Sequence, residues 1–474
     1  YTYNNTHSRY IYNTQIYSRD PPSLFQRKKR KRRRRKQSII EKSMGSLVHV
    51  KEATVITPSD QTPSSVLSLS ALDSQLFLRF TIEYLLVYPT VSDPNSLSDR
   101  LKSALSRALV PYFPFSGRVR ERPDGGRGLE VNCRGQGALF LEAVSDHLTC
   151  LEFQKAPRHV TSWRKLLSLN VIDVLSGAPP LVVQLTWLRD GGAALAVGVN
   201  HCLSDGIGSA EFLTLFAELS RDSLSQTELK RKHHWDRQLL NPVPVRDSLS
   251  HPEFKRVPDL CGFVNRFDAE RLVPTSVVFE RQKLTELKKL ASRLGESNSQ
   301  HTSFEVLSAH VWRSWARSLN LPSNQILKLL FSINIRDRVK PSIPSGFYGN
   351  AFVVGCAQTT VKDLTEKGLS HATMLVKQAK ERVDDDYVRS VVEAVSKKAS
   401  PDSVGVLILS QWSRLGLERL DFGFGNPVHI GSVCCDRYCL LLPIPERSDA
   451  VKVMVAVPSS AVDTYENLVM SPNA

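Results

Sequence analysis

The chain has 474 residues, of which 41% are hydrophobic and 23% charged, a composition typical of a globular protein with two or three domains. Its longest apolar stretch, residues 181–199, is interrupted by Gln184, Arg189 and Asp190, which excludes a run of the roughly 18 to 20 apolar residues that cross a bilayer. Of the net charge of +15, residues 1–43 supply thirteen basic and two acidic side chains, and the remainder has 49 basic and 45 acidic ones. The main body is therefore only mildly basic, which argues against a nucleic-acid-binding protein.

Residues 1–43 include ten consecutive basic residues at positions 27–36 and show no apolar periodicity. Such a run is typical of nuclear-localisation or nucleic-acid-binding tails. The first methionine is Met44, and the patterns of a folded chain begin just after it. We therefore expect residues 1–43 to be a disordered basic leader outside the native coding sequence. Met44-Gly45 resembles the start of a myristoylation signal, but His49 stands where Ser or Thr is required.

Residues 44–220 alternate between strand and helix patterns and are predicted to form an N-terminal domain. A strand is predicted over 50–56, and apolar residues from Leu97 to Leu109 share one helical face that ends at Pro111. Apolar and polar residues alternate at 129–133 and 181–187, which predicts two half-buried strands. The apolar run 193–199 predicts a buried strand.

The strand at 193–199 is followed by the sequence Asn200-His201 and, after Asp205-Gly206, by a new helical pattern. This places His201 on a strand-to-helix turn, where rigid elements hold the backbone. An imidazole with a pKa near 6.5 accepts a proton at neutral pH, so His201 is a candidate general base. Asp205 either orients that ring or fixes the turn through a basic partner, and Gly206 permits close packing. The alternative is a buried histidine with a structural role only.

Residues 221–272 are polar and interrupted by proline, which predicts a long crossover between domains. His233 and His234 lie in it without further ligands at zinc spacing, so we expect a solvated loop and no metal site. In residues 273–474, a C-terminal domain is predicted from a helix at 284–294, a helix capped by Thr302-Ser303, and strands at 327–334, 404–410 and 451–457. Two α/β sheets with helices, and a cleft between them, follow from this pattern.

The chain has eight cysteines without a CxxC pair or regular spacing: Cys133, Cys150, Cys202, Cys261, Cys356, Cys434, Cys435 and Cys439. This pattern favours reduced thiols in a cytoplasmic protein over a disulfide framework.

Several motifs occur in the order in which one protein family carries them. They are Leu69-Ser70-x-x-Asp73, Tyr112-Phe-Pro-Phe-Ser-Gly-Arg118, His201-x-x-x-Asp205-Gly206, Ala309-His-Val-Trp-Arg313, Asn334-x-Arg336, Gly346-Phe-Tyr-Gly-Asn350, Ser410-x-Trp412 and Asp421-Phe-Gly-Phe-Gly425. With these motifs over residues 50–457, the chain resembles the plant BAHD acyltransferases.

The resemblance implies two chloramphenicol-acetyltransferase-like domains, each a mixed sheet with helices, with a channel between them. It implies acyl-CoA as co-substrate, an alcohol or amine acceptor, and no bound cofactor, metal or nucleic acid. His201 would be the general base at the centre. Asp205 would pair with Arg336 as a structural residue, and Thr81 would donate to the oxyanion, with plain sheet packing as the alternative. A monomer is expected.

The resemblance also assigns a structural role to the loop Asp421, Phe422, Gly423, Phe424 and Gly425, which is expected to form a tight turn near the channel. Many relatives have Trp where this chain has Phe424, so no indole donor is available here. Thr302 and Ser303, at a helix start, either contact CoA through free N–H groups or form an ordinary cap. His310 is interpreted as a core histidine.

Members that take acidic acceptors place an arginine shortly before the S/T-x-W segment, whereas residues 399–411 contain no basic residue here. The resemblance therefore favours a neutral or lipophilic alcohol as acceptor and a hydroxycinnamoyl or other aromatic acyl group. The alternatives are an N-acyltransferase acting on an amine or polyamine, and a non-catalytic accessory protein of the same family. A nucleic-acid binder led by the basic run, and a carrier-dependent condensation domain, fit the sequence less well.

Overall fold

The computed structural model describes residues 48–89, 94–123, 128–167, 174–221, 233–243, 249–292, 301–434, 436 and 438–471. The expectations for residues 1–43 lie outside these ranges. In chain order the strands are β1 His49–Ile56, β2 Ser65–Ser68, β3 Thr81–Tyr88, β4 Arg118–Glu121, β5 Leu129–Cys133, β6 Ala138–Val144, β7 Leu181–Trp187, β8 Ala193–Asn200, β9 Leu272–Phe279, β10 Ile326–Asn334, β11 Phe352–Thr360, β12 Val406–Gln411, β13 His429–Ser432, β14 Tyr438–Pro443 and β15 Val451–Pro458. The helices are α1 Pro94–Ala108, α2 Gly206–Ser220, α3 Phe263–Ala269, α4 Arg281–Ala291, α5 Ser303–Ser318, α6 Val361–Glu366, α7 Gly368–Glu381, α8 Asp385–Ser396 and α9 Val462–Met470.

The first sheet has six strands in the order β1-β6-β7-β8-β3-β13. Strands β6 and β7 are parallel, and the other neighbours are antiparallel. Every residue of β3 and β8 is buried, because these central strands are covered on both faces, as their nearly continuous apolar sequences predict. Helices α1 and α2 pack against each other beside this sheet.

The second sheet has six strands in the order β11-β10-β12-β14-β15-β9. Strand β12 runs parallel to both β10 and β14, and the other pairs are antiparallel. Helices α5 and α7 pack together, and the large buried residues Trp312 and Trp315 of α5 belong to this half's core. Two mixed sheets with helices confirm the predicted α/β fold class. A small third sheet, β2-β5-β4, completes the first half.

One strand crosses between the halves. Strand β13 comes late in the chain, yet it pairs antiparallel with β3 at the edge of the first sheet, with Gly431 opposite Leu85. The first sheet therefore includes residues from both ends of the sequence. Strand β12 begins at Val406, two residues later than predicted. The reason is Gly405, whose φ of +66° and closeness to the Ile326 carbonyl are incompatible with an ordinary strand residue.

The crossover segment is more closely packed than the sequence suggested. His233 and His234 are half-buried rather than solvated. His234 forms an isolated bridge with Phe347, and the ring of His233 lies 4.7 Å from the ring of Tyr112. Arg237 follows in a short 3-10 turn, Arg237–Leu240, and is only 3% exposed. Among the described residues, no helix has the length and apolar character to cross a membrane.

Candidate active site

His201 lies in the turn between β8 and α2, at the seam between the two halves. Its backbone N–H donates to the Phe80 carbonyl over 2.8 Å. The centroid of its ring is 5.2 Å from that of Phe80 and 5.7 Å from that of Phe352. Phe80 directly precedes β3 of the first sheet, and Phe352 begins β11 of the second. Both halves of the molecule therefore hold the ring of His201, which remains half-buried.

The two ring nitrogens of His201 differ in their surroundings. Nδ1 is buried and has no hydrogen-bond partner of good geometry, so within the described part of the chain no carboxylate orients the ring as in a Ser-His-Asp triad. Burial lowers the pKa of His201 below its usual value, and its own backbone, the Asp205 charge, Asn350 and the Ser204 backbone oppose that decrease. This shift favours the neutral imidazole, the form in which a histidine accepts a proton. Nε2 is not among the buried ring nitrogens without a partner.

Asp205 is the N-cap of α2, and its carboxylate is bound by the helix start and by the second half of the chain. Its Oδ1 accepts the Gly208 N–H at 2.9 Å, and its Oδ2 accepts the Ala351 N–H at 3.0 Å. Arg336 donates to both oxygens, with Nη1 2.9 Å from Oδ2 and Nη2 3.0 Å from Oδ1. Four donors saturate a carboxylate that is 4% exposed. Asp205 therefore joins the turn to the second half of the chain, and Arg336 is its partner.

The start of α2 approaches the second half closely. A Cβ at Gly208 would lie 2.2 Å from the Tyr348 carbonyl oxygen, so this position excludes every side chain. At Gly206 the nearest atom would be a Leu415 methyl at 3.4 Å, an ordinary contact. The close approach thus depends on Gly208, although Gly206 is the residue that the motif marks. Arg336 extends the same junction by donating to the Phe347 carbonyl at 3.0 Å.

A second buried network, which the sequence analysis did not identify as a site, also supports the turn. Asp73, 0% exposed, accepts from the Asn350 backbone N–H at 3.1 Å and from Asn350 Nδ2 at 2.8 Å. The same Nδ2 donates to the His201 carbonyl at 2.7 Å. Arg237 donates to the Leu203 carbonyl at 2.7 Å. Asp73 and Asn350 belong to motifs that the sequence displays, whereas Arg237 lies in a segment without a recognisable signal.

Thr81 begins β3 and is paired with Asn200 across the ladder, one residue before His201. It is 6% exposed. Its methyl group faces Gly198 and lies on the same side as Leu167, because a Cβ at Gly198 would come within 2.8 Å of Thr81 Cγ2 and 2.9 Å of Leu167 Cδ2. Thr81 is therefore near the turn that contains His201, and its methyl fills space left by a glycine. Its role as an oxyanion donor stays a prediction.

The Asp421–Gly425 loop lies at the opposite end of α2 from His201. Asp421 Oδ1 accepts the N–H groups of Gly423 and Gly425 at 2.7 and 2.9 Å. The Phe422 carbonyl accepts Ser220 Oγ at 2.7 Å, at the last residue of α2. A 15-residue helix is about 22 Å long, so this loop lies well away from His201 along α2. Its expected place near the channel stays a prediction.

Two phenylalanines of this loop form its packing surface. Phe422 is fully buried against Phe216, and Phe424 stacks on Tyr88 with centroids 4.7 Å apart. Gly423 has a φ of +95°, which a residue with a side chain rarely adopts. The loop thus fixes the segment that leads into β13, consistent with a structural role.

Two further predicted residues, Thr302 and Ser303, lie at the start of α5. Thr302 is the N-cap: its hydroxyl accepts the Glu305 N–H at 3.3 Å, and its own N–H donates to Glu305 Oε2 at 2.9 Å. The capping alternative therefore accounts for Thr302, and the Glu305 carboxylate brings negative charge to this helix end. His310, on the same helix, is 3% exposed, and its Nε2 lies 2.9 Å from the Val469 carbonyl, as expected of a core histidine. Within the described residues no cluster of metal-ligating side chains is present.

Comparison with known proteins extends these observations. The model of the Transferase family matches residues 46–469. The chain is 31% identical to a fatty alcohol:caffeoyl-CoA acyltransferase of Arabidopsis thaliana, over 89% of this chain and 98% of that protein. It is also 31% identical to a 3'-N-debenzoyl-2'-deoxytaxol N-benzoyltransferase of Taxus canadensis, over 90% of this chain and 97% of that protein.

Among solved structures, vinorine synthase superposes on the chain with a TM-score of 0.69 at 21% identity, over 88% of this chain and 96% of that one. Fold and matches together define an acyltransferase with two mixed-sheet halves. The chain belongs to the plant BAHD acyltransferases within the Transferase family, which confirms the resemblance drawn from its motifs.

Proposed function

We propose that this acyltransferase moves an acyl group from CoA to the hydroxyl of a neutral or lipophilic alcohol, with His201 as the general base. The observation that carries the proposal is the position of the His201 ring, half-buried between Phe80 and Phe352 at the seam of the two halves. A neutral imidazole held from both sides is suited to remove a proton from a nucleophile bound in that seam.

In the proposed reaction, Nε2 of His201 takes the proton of the acceptor O–H as its oxygen attacks the thioester carbonyl carbon. The tetrahedral intermediate then breaks its C–S bond, and the thiolate of CoA leaves with the proton that His201 returns. A thiol has a pKa near 8.5, so a stronger acid than the imidazolium is not required. Thr81, one ladder position from the turn, is the proposed donor to the oxyanion, a contribution typically worth a few kcal/mol.

The side chains around His201 support an apolar acceptor. Phe80 and Phe352 flank the ring, and the ring of Tyr438 lies 5.8 Å from that of Phe80. Residues 399–411 bring no basic side chain that would pair with an acceptor carboxylate. The Arabidopsis relative is named for a fatty alcohol and caffeoyl-CoA, and we propose the same two classes here, an aliphatic alcohol and an aromatic acyl group. An amine acceptor is the second candidate, because the Taxus relative is named an N-benzoyltransferase.

The first experiment tests His201. Purified wild-type protein, His201→Asn and His201→Ala are incubated with caffeoyl-CoA and a primary alcohol, and release of free thiol is followed. Loss of the general base is expected to lower kcat by about 10²- to 10⁴-fold with unchanged melting temperature. His159→Ala, a change at an exposed histidine, is the matched control and is expected to retain full activity. Substantial turnover by His201→Ala would remove His201 as the base.

The second experiment tests the acceptor and donor. Hexadecanol, benzyl alcohol, their matching amines, spermidine and shikimate are each combined with caffeoyl-, benzoyl- and acetyl-CoA. The proposal expects kcat/KM to be highest for the neutral alcohols and lowest for shikimate. A preference for the amines would make the protein an N-acyltransferase. No transfer in any pairing would support the accessory-protein alternative.

Location and assembly are separate predictions. Among the described residues, Cys133, Cys150, Cys202, Cys261 and Cys356 are free thiols, which supports a reducing compartment. Cytoplasmic location and a monomeric state both stay predictions.

A further inference from the structure

Arg237 is a buried cation outside every motif discussed so far. It is 3% exposed, and the centre of its guanidinium lies 4.0 Å from the ring of Trp235 and 5.1 Å from that of Phe347. Its nearest counter-charge is Asp73, with Nε 3.6 Å from Oδ2. Taking such a pair out of water costs several kcal/mol per ion. A contribution to packing alone therefore does not account for a buried arginine at this position.

The contacts of this pair converge on the catalytic turn. Nη2 of Arg237 donates to the carbonyl of Leu203 at 2.7 Å. Asp73 holds Asn350 through two hydrogen bonds, and Asn350 Nδ2 donates to the carbonyl of His201 at 2.7 Å. The carbonyls of residues 201 and 203 are therefore both fixed by one network, in addition to the hydrogen bonds of Asp205.

The space around the guanidinium is shaped for it. A Cβ at Gly349 would lie 1.0 Å from Arg237 Nη1, so glycine is required beside the arginine. Arg336 donates to the Gly349 carbonyl at 3.3 Å, which brings the two arginines to the same three residues, 347–349. The Arg237 network and the Arg336–Asp205 pair thus both contact residues 347–349, and both hold the turn at residues 201–205.

We propose that Arg237 is a positioning residue for His201: through Leu203 directly, and through Asp73 and Asn350, it fixes the turn that aims the imidazole. This inference rests on the proposed general-base role of His201. It gives the crossover segment a role in catalysis, because residues 235–237 then help to orient a base that lies in the preceding domain. Arg237 touches no reacting atom in this scheme.

The kinetic test compares Arg237→Gln and Arg237→Lys with the matched control Arg266→Gln. Arg266 lies in the same connecting segment and makes contacts of the same kind, an ion pair with Glu270 and a hydrogen bond to the carbonyl of Leu319. None of these contacts involves the turn that contains His201. Misplacement of a catalytic group by about 1 Å costs up to 10²-fold in rate. We expect kcat to fall at least tenfold in Arg237→Gln, less in Arg237→Lys, with both KM values within twofold of wild type.

The control separates positioning from stability. Arg266→Gln is expected to lower the melting temperature while kcat stays within twofold of wild type. If Arg237→Gln does not fold, Arg237→Lys decides alone, and a kcat at least threefold lower with unchanged KM values supports the proposal. A kcat within twofold of wild type in every folded Arg237 variant would overturn it, as would a loss confined to KM.

A second readout needs no turnover. The Cε1–H resonance of His201, assigned by its absence in His201→Ala, is expected to shift in Arg237→Lys and to keep its wild-type position in Arg266→Gln. If wild-type protein transfers no acyl group, the proposed function fails, and this resonance still tests whether Arg237 orients the ring. An unchanged resonance in Arg237→Lys would refute the positioning role even in an active enzyme.

Discussion

Replacing Asp205 by asparagine tests whether the catalytic turn is held by a buried ion pair. Asparagine caps helices nearly as well as aspartate, so the cap at Gly208 is preserved in type. The change instead puts an NH₂ group where Oδ1 or Oδ2 now accepts N–H groups of Arg336 and Ala351. It also leaves Arg336, whose side chain is 13% exposed, without a carboxylate. Breaking one side of a buried pair costs about 3 to 5 kcal/mol.

The expected consequence is measurable in melting experiments. At about 2 to 4 °C per kcal/mol for an unfolding unit of 150 to 250 residues, a loss of about 4 kcal/mol lowers Tm by about 10 °C. Acyl transfer, measured well below that Tm, is expected to fall as well because the backbone next to His201 relaxes. The double variant Asp205→Asn/Arg336→Gln removes both charges and is expected to lose less stability than the sum of the single changes.

Two outcomes would refute this reasoning. Stability losses that add in the double variant would mean that the pair contributes no coupling energy. Unchanged melting and full turnover in Asp205→Asn would show that the turn does not depend on the carboxylate at all.

Three further predictions follow from other contacts. Burial lowers the pKa of His201, and the proposed mechanism uses its neutral form. The value of kcat/KM is therefore expected to rise with pH through a value below 6.5 and to be flat at pH 7 to 8, and a rise centred above 7 would contradict this. Gly208→Ala would place its Cβ 2.2 Å from the Tyr348 carbonyl oxygen and is expected to lower Tm and kcat. Gly206→Ala would place its Cβ 3.4 Å from a Leu415 methyl and is expected to change neither. Equal effects of the two substitutions would show that close approach at Gly208 does not limit stability or rate. Burial raises the pKa of Glu83 to about 7 from 4.5, so the folded state keeps its proton to higher pH than the unfolded state does. The free energy of unfolding is therefore expected to fall by up to about 3 kcal/mol as pH rises through that interval. Denaturant titrations from pH 5 to 7.5 should show that the free energy of unfolding depends less on pH in Glu83→Gln than in wild type.

Local patterns predicted much of this molecule. Alternation identified β7, and the apolar run before His201 identified β8, because side-chain periodicity in a strand is a local property. The motif order pointed to Asp205 and Arg336, which meet across 131 residues of sequence. In these cases either periodicity or a family pattern carried the information.

Long-range contacts without a motif were not predictable in the same way. Arg237 meets Asp73 across 164 positions of sequence and lies in a polar, proline-rich stretch that reads as a loop. The insertion of β13 beside β3 depends on the tertiary path of the chain, since the four residues His429–Ser432 carry no alternating or apolar pattern that marks a strand. For the Asp421–Gly425 loop, the motif predicted a tight structural turn, but it did not predict the contact with Ser220 at the end of α2.

The late arrival of β13 has a consequence for how the protein is made. Until residues 429–432 have left the ribosome, β3 presents an open edge, and unpaired edges invite association with other chains. An isolated polypeptide ending near residue 270 would keep that edge for good. We expect such a fragment to aggregate, and the two halves to form a native enzyme only when both are translated as one chain.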